Sequence, residues 1–107
     1  MKKILLILIT LFLLPSLAQA ANHYIRAEAT GNNNGSNWTD AWTSLPDTLN
    51  RGDTYYIADG TYGSYEFDDP EQGDQYIYIK KAIESDHGSD IGWSSGFGDG
   101  VAEFTSS

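Results

Sequence analysis

The sequence predicts an all-β domain behind an export leader, and three observations predict it. β-Branched and aromatic residues recur in short runs at 54–58, 61–67, 75–81 and 101–105. Segments rich in Gly, Asn, Asp and Ser separate the runs, and these residues reach turn conformations at little cost. Only the stretch from Trp38 to Leu49 carries a helical period.

The leader comes first. Lys2 and Lys3 precede an almost unbroken apolar run over 4–14, Pro15 and Ser16 break it, and Ala18-Gln19-Ala20 supplies small residues for a signal peptidase. The run is shorter than the roughly 20 apolar residues a membrane span needs. Cleavage after Ala20 is expected, leaving residues 21–107 as a secreted or periplasmic chain with no further membrane attachment.

The 107 residues allow one domain at most. Formal charge is −9, and loss of Lys2 and Lys3 makes the remainder more acidic still. Nucleic acid and anionic lipid both select Lys/Arg clusters, so neither is an expected partner. There is no cysteine, although an exported domain this small usually relies on disulfide staples.

In chain order, residues 23–27 fit a short strand, and Thr-Gly-Asn-Asn-Asn-Gly-Ser-Asn over 30–37 is a loop. Trp38, Ala41, Trp42, Leu45 and Leu49 then fall on one face of a 3.6-residue period, with Asn37 or Thr39 as a cap. Pro46 either ends that short helix near Leu45 or begins a second turn. Its two tryptophans serve either to dock it or to stack on sugar. Gly52-Asp53 turns the chain into the run at 54–58, and Asp59-Gly60 bends it toward the next. In the 75–81 run Ile77 and Ile79 are the inward pair; near the end Ala102 and Phe104 point inward.

Three pieces together carry a family resemblance. They are Tyr24-Ile25 with the Gly/Asn loop and the Trp38–Leu49 stretch; Gly52-Asp53-Thr54 through Ala58-Asp59-Gly60-Thr61-Tyr62; and Ile77-Tyr78-Ile79-Lys80-Lys81-Ala82 followed by Asp86-His87-Gly88 and Gly92-Trp93. Their order resembles the N-terminal end of secreted right-handed parallel β-helix proteins of the pectate-lyase-like superfamily. The resemblance implies a cap strand and cap helix followed by the first coils, with aliphatic side chains stacked inside. Tyr55 departs from it, since a smaller aliphatic residue is commoner at that inward position; a place under the cap would suit the ring. The resemblance also implies a longer parent, because a last strand followed only by Ser106-Ser107 leaves an edge uncovered. That parent would bind or cleave extracellular polysaccharide, as a lyase or glycoside hydrolase. The alternative is a non-catalytic adhesion shaft.

No catalytic residue follows from any of this, because the family's catalytic groups sit on later coils. Phosphate-loop, nucleophile-elbow and zinc spacings are absent. Three groups remain. Asp68, Asp69, Glu71 and Asp74 are either solvated turn residues or oxygen ligands for calcium, which is possible in the parent. Asp86, His87 and Asp90 offer either a stabilised turn or a base with an orienting carboxylate. Tyr56, Tyr76 and Tyr78 form either a sugar-stacking ladder or a stripe that β propensity alone produces.

Overall fold

The computed structural model describes residues 20–106, so the expected leader lies outside the described residues apart from Ala20. Five short strands are present among them: β1 (Asn22–Ile25), β2 (Thr54–Ile57), β3 (Gly60–Tyr62), β4 (Tyr78–Lys81) and β5 (Ala102–Phe104). A single 3-10 turn, Ser95–Phe97, is the one helical element among the described residues. The chain is β-rich, as its composition predicts, and both of its small sheets are parallel.

β1, β2 and β4 form one sheet in that order, and β3 and β5 form the other. The register aligns His23, Tyr55 and Ile79 across the larger sheet, then Tyr24, Tyr56 and Lys80. In the smaller sheet Gly60 pairs with Ala102 and Tyr62 with Phe104. The chain therefore alternates between sheets, β2 to β3 and β4 to β5, and lays each new strand beside its predecessor. Parallel neighbours require such crossovers, and these fill the intervals between the aliphatic runs.

Alternation along β2 sends side chains to two apolar clusters. Ile25, Tyr55 and Ile57 join Leu45, Leu49 and Tyr62 on the face toward the second sheet. Tyr24, Tyr56, Ala58 and Ala82 join Trp38 and Ala41 on the opposite face. A sheet buried on both sides reads as a near-continuous apolar run, which is what Tyr55-Tyr56-Ile57-Ala58 is.

The expected helix is not formed. Residues 38–49 run through turns and bends, although Trp38, Ala41, Leu45 and Leu49 are all buried as the periodicity requires. The backbone of Trp42 is committed elsewhere: its N–H donates to the Tyr24 carbonyl (2.9 Å) and its carbonyl accepts from the Arg26 N–H (2.8 Å). Asn37 accepts from the Asp40 N–H (2.8 Å) and Asn33 from the Thr43 N–H (3.0 Å), local bonds that compete with a helical ladder. The segment nevertheless covers the rim of β1. Gly35 accepts from the Tyr24 N–H there, with φ 73° and no room for a β-carbon, which would sit 2.4 Å from the Trp42 ring.

Tyr55 lies under this segment. Its ring stacks on His23 (4.6 Å) and Trp42 (6.5 Å), and its hydroxyl accepts from the Asn50 N–H (2.8 Å). Gly52 makes the entering turn at φ 93°. Ile79, Ala102 and Phe104 take the sides expected of them, but Ile79 and Phe104 are 38% and 40% exposed because β4 and β5 are outermost in their sheets. The strand expected over 61–67 ends at Tyr62, and the one expected over 75–81 begins at Tyr78.

Candidate functional site

The register sets Tyr24, Tyr56 and Lys80 abreast on the face away from the second sheet. The loop after β4 folds back over them. Ala82 is buried against this face, and His87 takes a left-handed backbone (φ 70°) that drops its ring onto Tyr56, 3.8 Å between centroids. Trp38 holds the loop down by donating its indole N–H to the His87 carbonyl (2.9 Å).

His87 is bound at both nitrogens. Nδ1 lies 2.7 Å from Asp86 Oδ1, and Nε2 lies 3.1 Å from the Asn22 amide nitrogen. An Asn amide N–H donates, so Nε2 accepts and the proton sits on Nδ1, facing the carboxylate. Asp86 Oδ2 then takes Lys80 Nζ at 3.0 Å. The result is one connected chain: Lys80, Asp86, His87, Asn22. The hydrogen bond from Lys80 and then that of His87 hold the Asp86 carboxyl below its ordinary range. Lys80 is pushed up by the same bond.

Asp90, expected beside His87, is drawn instead to the Tyr24 hydroxyl, which donates to it. Burial, then Asp90, pushes the Tyr24 phenol far up. Burial, then the charge of Asp86, also pushes the Tyr56 phenol up. Tyrosine is thus held neutral on this face, as a donor or a ring surface and not as a base. Chemically, an Asp-oriented imidazole with an accepting Nε2 is the arrangement of a general base. Here Asn22 occupies that lone pair.

Among the candidate stacking residues, Tyr56 is buried under His87 and cannot serve as an outward platform. Tyr76 and Tyr78 are 62% and 48% exposed and lie edge to face, 6.4 Å apart. The candidate calcium residues are not brought together: no group of three or more metal-ligating side chains gathers among the described residues. Asp68, Glu71 and Asp74 are exposed, while Asp69 accepts from the Leu49 N–H at 3.2 Å. The loop is organised by a guanidinium instead. Arg51 donates to the carbonyls of Pro70 (2.9 Å), Gln75 (3.1 Å) and Asp69 (3.1 Å), oxygens of the type a calcium loop would use.

Sequence reasoning missed Arg51 and Asn22. A lone arginine before a Gly-Asp turn carries no signal of three acceptors further along. Asn22 and His87 are 65 residues apart and meet only through parallel registration.

Comparison with known proteins returned no matching family model, curated protein or solved structure.

Proposed function

We propose that this chain is the entry segment of an exported right-handed parallel β-helix protein, one whose full-length form binds or cleaves extracellular polysaccharide. The observation that carries the proposal is the alternation of the chain between two parallel sheets, with each strand added on the same side. Stacked coils have that order, and strand twist favours right-handed crossovers.

In this reading the segment over 35–42 is the cap. It takes up the rim-facing backbone groups of Tyr24 and the Arg26 N–H beside β1, so growth proceeds from β4 and β5. The exposed Ile79, Val101 and Phe104 mark the side where a further coil would stack. Tyr76 and Tyr78 are the surface best suited to a sugar ring, because exposed aromatics stack on apolar sugar faces while keeping a polar tip in water. The His87 network is already satisfied by its neighbours, so residues 21–107 supply scaffold and turn over no polysaccharide by themselves.

The test is to read the encoding DNA past the codon for Ser107. An open frame continuing in short aliphatic strands broken by Asn-Gly or Gly-Asp turns supports the reading. Coil-spaced carboxylates or basic residues in it favour an enzyme; uniform repeats favour a shaft. A stop codon there sinks the polysaccharide-enzyme reading, and turnover of a polysaccharide panel by residues 21–107 alone sinks the scaffold role.

A further inference from the structure

We propose that Asp53 is a receptor for the protein's own new amino terminus. Cleavage after Ala20 turns the Ala21 nitrogen into an ammonium group, which locks onto the Asp53 carboxylate and closes the start of the β1–β2 pair. The inference rests on the export reading above.

The site is already shaped around that nitrogen. Ala21 N donates to Asp53 Oδ1 at 2.9 Å, and the Ala21 carbonyl accepts from the Thr54 N–H at 3.0 Å. Ala21 is therefore pinned one residue before β1, in register with the start of β2. Asp53 is only 8% exposed, an uncommon place for a carboxylate without a charged partner. Its second oxygen lies 2.8 Å from His23 Nε2, and that ring is held between Tyr55 and Trp42. The backbone of Asp53 is fixed as well: its N–H donates to the Asn50 carbonyl (3.2 Å) and its carbonyl accepts from the Tyr78 N–H (3.1 Å).

The groups facing Asp53 are His23 from β1, Asn50 from the preceding turn and Tyr55 from β2. Burial pushes the Asp53 carboxyl up, but the bond from Ala21, then His23 and Asn50, outweighs it and holds the group below its ordinary range. An uncleaved chain offers this carboxylate one neutral amide N–H. A chain beginning at Ala21 offers a full positive charge with three donors at the same point, and a charge-assisted bond is about twice as strong as a neutral one. The fit is specific for cleavage at this bond, since one residue of strand shifts the amine by about 3.3 Å.

The experiment uses the full chain exported from a bacterial host. Mass spectrometry of the product first reads its start. The α-amine is then labelled by reductive methylation with carbon-13 and titrated by NMR, folded and in concentrated urea. The expected result is a start at Ala21 and a folded-state titration above both the urea value and the ordinary range of about 7.7–8.0. Asp53→Asn should return the amine to that range. Acetylating the amine should shift the unfolding equilibrium by about fivefold toward the unfolded chain, discounting for partial exposure. A start elsewhere, or an uncut leader, overturns the export reading and this inference with it. A start at Ala21 whose amine titrates alike folded and in urea overturns the inference alone. If Asp53→Asn does not fold, the wild-type comparison still decides.

Discussion

The Tyr62 hydroxyl ties the end of β1, the end of β2 and the second sheet together, and Tyr62→Phe removes it without opening a cavity. The hydroxyl donates to the Ala58 carbonyl (2.9 Å), has the Ile25 carbonyl as a second acceptor at 3.4 Å, and receives the Ala27 N–H at 3.3 Å. The side chain is 3% exposed, so water does not replace what is lost. One net hydrogen bond is worth about 1 kcal/mol and a stranded buried group about 1–3 kcal/mol; with one short and two long contacts, the expected loss is about 2 kcal/mol. For a domain of this size that corresponds to a fall in Tm of roughly 10 °C. Thermal melts followed by circular dichroism should be run beside Tyr65→Phe. The Tyr65 hydroxyl donates to the Pro46 carbonyl at 2.6 Å, yet it is only half buried, so water compensates and the cost should stay under about 1 kcal/mol. Loss in Tyr62→Phe no greater than in Tyr65→Phe would refute the reasoning.

The same hydroxyl sets an alkaline limit. Burial pushes the Tyr62 phenol from 10.0 up to about 12, so between those values the unfolded chain has lost a proton that the folded chain keeps. Stability is whole below pH 10 and falls as pH rises toward 12, by about 3 kcal/mol for this group. Tyr24, Tyr55 and Tyr56 shift in the same direction, again through burial first, and steepen the loss. Tyr62→Phe should flatten the stability curve over that window.

Three other outcomes follow from packing and charge. Trp38→Ala empties the largest fully buried side chain and should cost about 3–5 kcal/mol, checked by denaturant titration. Lys80→Met should return the Asp86 carboxyl upward toward its ordinary value, read by NMR titration. Arg51→Ala should leave the carbonyls of Asp69, Pro70 and Gln75 without their common donor, so limited proteolysis should cut near 69–75 faster than in the wild type. Arg51→Lys should rescue this only in part, because an ammonium lacks the planar fork.

Strand positions were legible because the β2 run has an apolar residue on both faces and glycine turns at both ends. Burial of Trp38, Ala41, Leu45 and Leu49 was legible too, since the spacing that puts residues on one helical face also marks residues facing one core. The conformation was not. Spacing alone does not reveal that the backbone of Trp42 would find better partners on the rim of β1, or that Asn33 and Asn37 would satisfy the N–H groups of Thr43 and Asp40 locally. The site followed the same division. Asp86 and His87 are adjacent in sequence and meet; Asp90, three residues on, leaves for Tyr24 because the left-handed turn at His87 redirects the chain. Tyr56 read as outward because alternation identifies faces, not what later covers them.

The two rims of the larger sheet differ in a way that constrains association. Bonds to the Gly35 carbonyl, the Trp42 N–H and the Trp42 carbonyl occupy the β1 rim at Tyr24 and Arg26, whereas β4 is outermost on the other side. A second copy of residues 21–107 alone would meet the first rim to rim through β4 and β5, where the proposed parent stacks its next coil, a two-fold arrangement that closes on itself. Head-to-tail stacking would have to displace the 35–42 segment. Trp42→Pro deletes the N–H that bonds the Tyr24 carbonyl and removes the ring packed over Tyr55, which unseals β1. Light scattering on residues 21–107 should then show open-ended assemblies growing with concentration, while the unsubstituted 21–107 chain stops at a dimer or smaller. Filaments formed by the wild type itself would mean that the 35–42 segment does not seal the rim.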